Sequence, residues 1–108
     1  MASLSSQNWS AYRNSVSEAI GAVPTGATDL TTTDTRVYQI HFVNTTAGAL
    51  TVTLKDKQST PRNLLTAYSI PANSYAKLDW PEGLFFSGGL NWIASGSGVE
   101  ASVTAWYK

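Results

Sequence analysis

Cysteine is absent, histidine occurs once, and charge is scarce. Without cysteine there is no disulfide scaffold and no thiol nucleophile. With only His41 beside that absence, no zinc ligand set can be assembled. Charged residues make up 13% of the 108-residue chain, against a usual share of roughly a quarter. Seven basic residues are balanced by seven acidic ones. They are scattered, and Lys55-Asp56-Lys57 is the longest charged run. Nucleic-acid binding needs a basic patch to neutralise phosphates, and binding at a membrane surface needs much the same. No partner of either kind is expected. No apolar run approaches the ~20 residues of a membrane span. The opening MASLSSQNWSAYRNS has no basic flank followed by an apolar block, so no secretory signal is expected.

What is present is apolar and β-prone. Hydrophobic residues reach 43%, enough for the core of a single domain, which at this size buries roughly two-thirds of its unfolded surface. With so little charge, the surface must be built largely from Ser, Thr, Asn and Gln.

From residue 36 onward the pattern has a period of two. In RVYQIHFVN, Tyr38, Ile40 and Phe42 share one face and Gln39 and His41 the other, with Val37 and Val43 at the ends. Such alternation marks a half-buried strand. The turn Asn44-Thr45-Thr46-Ala47-Gly48 follows, then ALTVTLKD, with Leu50, Val52 and Leu54 on one side. Two alternating runs joined by a short loop predict a hairpin. A weaker strand is expected over 63–70, where Leu64, Thr66, Tyr68 and Ile70 alternate with Leu65, Ala67 and Ser69. A turn at 71–74 leads to a strand over 75–80, with Ala76, Leu78 and Trp80 inward and Tyr75, Lys77 and Asp79 outward. Trp80-Pro81-Glu82-Gly83 fits a type I turn. Short strands at 84–86 and from Leu90 to Ala94 follow. The last strand sets Val99, Ala101, Val103, Ala105 and Tyr107 against Glu100, Ser102, Thr104 and Trp106.

Strands of five to nine residues, each closed by a Gly, Asn or Pro turn, predict an all-β fold: an antiparallel β-sandwich, jelly-roll or Ig-like. Residues 1–22 are set apart. Trp9, Tyr12, Val16 and Ile20 recur near a helical period, yet Ser, Asn and Thr fill the gaps. A short helix, an extended arm and a first strand all fit. The expected division is an N-terminal arm or short helix over 1–22 and a β-sandwich domain over 23–108.

Catalytic sets are not found. His41 falls on a polar strand face, and no serine elbow accompanies it. Asp29, Asp34, Asp56, Asp79 and Glu82 lie in loops or at strand ends and read as turn caps. Ser87-Gly88-Gly89 lies between two strands and cannot form a phosphate loop, which needs a following helix. Non-enzymatic action without cofactor or metal is expected. Aromatics on outward faces point instead to interfaces. Trp9, Tyr12, Tyr75 and Trp106 are the interface candidates.

The features also come in a particular order. A loop VPTGATDL precedes VYQIHFVNTTAGALTVTLKD, then SIPANSYAKLDWPEGLFFSGGLNWIASGSG, then a final strand ending in aromatics. Over about residues 23–107 this resembles small β-sandwich structural proteins of tailed bacteriophage virions. The matching positions are Asn44, Pro71, Asn73, Gly83, Gly89, Trp92 and Gly98, all of them structural, so no ligand site is implied. The resemblance implies a head decoration, fibre, tail or adaptor protein, assembled in the host cytoplasm and carried on the virion. Its implied partners are copies of itself, as in a trimer, and other capsid or tail proteins. The alternative expectation is a carbohydrate- or receptor-binding module whose partner is a host surface glycan.

Overall fold

The structure, a computed structural model, describes residues 19–107. They form eight strands: β1 (Ala19–Ala22), β2 (Thr28–Asp29), β3 (Thr35–Asn44), β4 (Leu50–Asp56), β5 (Asn63–Ile70), β6 (Ser74–Phe86), β7 (Leu90–Ala94) and β8 (Val99–Tyr107). Two antiparallel sheets pack face to face, one ordered β1-β8-β3-β6 and the other β2-β7-β4-β5. Within the sheets β1 pairs with β8, β2 with β7, β3 with β6, and β4 with β5. It is as though one long hairpin with its tip at residues 57–62 had been rolled onto itself. That is the jelly-roll arrangement. Strand β1 lies on the arm's side of the expected boundary at residue 22 and is hydrogen-bonded into the first sheet.

The core is the meeting of the two inward faces. Val37, Ile40 and Phe42 of β3, Phe86 of β6, and Val99, Ala101 and Val103 of β8 come from one sheet. They meet Val52 and Leu54 of β4, Ile70 of β5, and Leu90, Trp92 and Ala94 of β7. The alternation expected for β4, β7 and β8 is the alternation found.

Four local expectations fail, each for an identifiable reason. First, β3 and β4 are not a hairpin; they lie in opposite sheets. Asn44 makes the crossing. Its side chain is buried, with Nδ2 donating to the carbonyls of Gly48 (2.9 Å) and Ile70 (3.0 Å), and Oδ1 accepting the N–H of Thr46 at 2.9 Å. The polar turn residues expected at a hairpin tip here arch the chain over the open end of the sandwich. Second, Tyr38 faces out and Val37 in. Thr35 and Val37 are buried, then Ile40, Phe42 and Asn44, so the phase of β3 changes at a bulge between Val37 and Gln39.

Third, residues 80–83 do not end a strand. Val37 pairs with Leu84 and Gln39 with Asp79, leaving those residues of β6 as a wide bulge opposite Tyr38. Gly83 permits it with φ +86, and a Cβ there would fall 2.3 Å from Cγ of Arg36. Pro81 is tolerated because β6 is an edge strand. Fourth, β5 carries two register breaks against β4, one beside Leu64 and one at Thr66–Ala67. Ala67 has φ +46 and donates its N–H to Thr53 Oγ1 at 2.9 Å. Leu64, Leu65 and Tyr68 all reach the core as a result.

Asp56 fastens the hairpin tip. Its carboxylate is buried and accepts the backbone N–H of Arg62 (2.8 Å), Nε of Arg62 (2.9 Å) and Nε2 of Gln58 (2.7 Å). Burial pushes the carboxyl up, but the Arg62 N–H, the Gln58 amide and the Arg62 guanidinium together outweigh it. The carboxyl is held at about 2, below its ordinary 3.8. A carboxyl depressed on folding stabilises the fold fully above its unfolded value and loses that contribution as the pH falls from about 4 through about 2. The expected loss is about 2 kcal/mol. Urea midpoints at pH 7 and pH 2 measure it. Asp56→Asn removes this share of the acid sensitivity while lowering stability at pH 7; an unchanged pH profile in the variant would show that other carboxylates carry it.

A candidate interaction surface on the outer face of one sheet

The outward side chains of the β1-β8-β3-β6 sheet lie in rows across β8, β3 and β6, set by the pairing register. One row is Glu100, Val43 and Tyr75; another is Trp106, Arg36 and Phe85. Between them run Ser102, His41 and Lys77, then Thr104, Gln39 and Asp79. The two ends are aromatic and the middle is polar.

Tyr75 is 65% exposed, the more open of the two exposed large hydrophobic side chains among the described residues; the other is Tyr38. His41 meets the Tyr75 ring edge-on, with centroids 5.4 Å apart and planes at 84°. His41 is half-buried by that contact on the polar face expected for it. Gln39 Nε2 donates to Asp79 Oδ1 at 2.8 Å, joining the two strands.

At the other end Arg36 is central. Its guanidinium carbon lies 5.1 Å from the centre of the Phe85 ring, a cation–π distance. Nη1 donates to the Glu82 carbonyl at 3.3 Å. Trp106 is Arg36's register partner on β8 and is half-buried. Tyr38, turned outward by the bulge, lies next to Arg36 along β3. Its ring, like the Arg36 stem, lies against Gly83.

Of the four interface candidates, Tyr75 and Trp106 share this face. They stand at opposite ends, separated by roughly 20 Å along β3. Trp9 and Tyr12 lie outside the described residues. Phe85, Arg36 and Tyr38 were not among the candidates. Parity from the buried Phe86 would have turned Phe85 outward, but Tyr38 could not be found without knowing of the bulge.

The carboxylates serve local structure. Asp34 Oδ1 accepts the N–H of Gly88 at 2.7 Å. Asp29 is bonded by Lys57, and by Nδ2 of Asn91 at 2.8 Å; these two contacts hold its carboxyl below the ordinary 3.8. Among the described residues no three His, Cys, Asp or Glu side chains are grouped as a metal site would require. Comparison with protein-family models, curated proteins and solved structures finds no match.

Proposed function

We propose that this chain is a non-enzymatic structural component of a tailed-phage virion, a head decoration, fibre, tail or adaptor protein. It works by packing against further copies of itself and against neighbouring virion proteins. The observation that carries the reading is the ordered motif set from Asn44 to Gly98, whose members lie at turns, at a crossing between the sheets, at the β6 bulge and, for Trp92, in the core. Asn44 ties the β3–β4 crossing to Ile70. Asn73, at φ +49, donates its N–H to the Thr46 carbonyl at 2.9 Å. The Gly98 carbonyl accepts the N–H of Thr45 at 3.1 Å. Gly83 shapes the bulge and Gly89 the passage from β6 to β7. Eight-stranded jelly rolls recur in viral capsid domains. A face with aromatic ends and a polar middle suits many weak repeated contacts, which a symmetric lattice converts into avidity.

Sedimentation of the purified chain, full-length and lacking residues 1–18 so that β1 is kept, tests this together with co-sedimentation on phage particles. Association of the full-length chain with itself or with particles is expected. A strict monomer in both preparations that leaves particles unbound would overturn the reading.

The second reading, a carbohydrate- or receptor-binding module, is favoured by one observation. Trp106 and Phe85 flank Arg36 on a single face, two strand spacings or about 10 Å apart, the span of about two sugar rings. A glycan array decides it, binding being lost in Phe85→Ala.

A further inference from the structure

Sheet edges are where jelly rolls are open to pairing, and the four edges here differ. Strand β2 spans two residues, too short to template a partner, and β1 is described over four only. Strand β5 is broken by its two register shifts and by Ala67 at φ +46. Strand β6 is different. From Ser74 to Asp79 it pairs with β3 in unbroken register, Ser74 opposite Asn44 through Asp79 opposite Gln39. Its other edge pairs with no strand among the described residues. Its inward side chains, Ala76, Leu78 and Trp80, pack on the core yet stay only half-buried, no further strand among the described residues covering them.

We infer that the free edge of β6 pairs antiparallel with β6 of a second copy about a two-fold axis at Leu78. This rests on the proposed self-association and names the edge that mediates it. A two-fold axis perpendicular to the sheet keeps inward residues opposite inward ones, so each candidate register is centred on one residue. Centring on Lys77 sets two ammonium groups against each other. Centring on Ala76 leaves Asp79 opposite Asn73. Centring on Leu78 places each Lys77 opposite the Asp79 of the other copy, giving two reciprocal ion pairs on the exposed face. On the inner face it sets small Ala76 against large Trp80, twice, and Leu78 against itself. Opposite charges and complementary sizes at directly opposed positions are what stabilises an antiparallel pair. The result is one continuous eight-stranded sheet across two sandwiches. The contact is short, since the bulge at 80–83 ends the regular edge, and it falls below the ~1,200 Å² of a standard stable interface. The dimer is therefore weak in solution and becomes effective on a lattice.

Sedimentation equilibrium on the full chain up to about 1 mM tests this, with Lys77→Asp, Asp79→Lys and the double exchange. Thermal melts verify that each variant is folded, because Asp79→Lys also loses the Gln39 bond. Each single reversal is expected to weaken the dimer about tenfold or more, and the double exchange to restore it. Wild-type association that is indifferent to all three variants overturns the β6 pairing and leaves self-association standing. A wild-type monomer at the top concentration that still binds particles also overturns the pairing alone. A monomer that binds no particles removes the virion reading as well.

Discussion

Asn44→Asp is expected to destabilise the fold by about 4 kcal/mol at neutral pH. The substitution keeps the size of the side chain and inverts half its hydrogen bonding. Nδ2 of Asn44 donates to the carbonyls of Gly48 and Ile70. A carboxylate oxygen in its place faces two carbonyl oxygens with no proton between them. The side chain is 1% exposed, so water cannot intervene. Charge there is repelled and desolvated together, and the variant's carboxyl is raised on folding. A group of that kind costs most above its folded pKa, and the cost shrinks as acid protonates it and restores one donor. The variant should therefore be closer to wild type at pH 4 than at pH 7, opposite to the trend expected from Asp56. Asn44→Ala should lose about 3 kcal/mol without that pH dependence. Since domains of this size have about 5–15 kcal/mol in all, either loss is readily measured by urea unfolding. Wild-type stability in Asn44→Ala would mean that the β3–β4 crossing is held elsewhere.

Gly89→Ala is expected to be comparably severe, about 4 kcal/mol or enough to prevent soluble expression. Gly89 has φ +133, where a side chain is strained whatever the space. A Cβ there would also lie 2.5 Å from the carbonyl oxygen of Thr31 and 3.1 Å from Cδ of Lys57. The lysine can swing away, but the carbonyl cannot. Leu30 and Thr31 both donate their N–H groups to the Leu90 carbonyl, at 2.8 and 3.3 Å. The Thr31 hydroxyl accepts the N–H of Leu90 at 3.0 Å and shares a 2.6 Å hydrogen bond with that of Thr35. The segment before β3 is thus bound to the residue beside the substitution. Gly26→Ala is the control: nothing lies within 4 Å of its Cβ position, and a change within about 0.5 kcal/mol is expected. Thermal unfolding of the two variants side by side checks both. Equal melting temperatures would show that the Thr31 segment yields freely.

Both sites mark where the sequence stops being readable. Alternation is local, so β4, β7 and β8 could be assigned residue by residue from Val52, Trp92 or Val103 and their neighbours. A bulge breaks parity without announcing itself. Tyr38 looks like its apolar neighbours, yet the phase of β3 depends on how many residues β6 inserts opposite it. Ala67 carries no mark of its positive φ, which is imposed by pairing with β4. Asn44 and Gly48 are turn residues at a hairpin tip or at a crossing between sheets, and only the far end of the contact, Ile70, distinguishes the two. For the surface, Tyr75 follows from parity alone. The cluster around Arg36 depends on the bulge and on three strands distant in sequence, so it is a property of the assembled sheet.

The rolled pairing also constrains the order in which the molecule can be made. Ala19 lies opposite Val103, and β8 sits between β1 and β3. During synthesis β1 therefore emerges with nothing to bind, and the first sheet has a gap at its centre until Val99–Tyr107 leave the ribosome. The whole β2-β7-β4-β5 sheet and the β3–β6 pair can join before β8 is made. The first sheet stays incomplete until β8 is made, and a ribosome that stalls within β8 releases a product whose hydrophobic layer is split open.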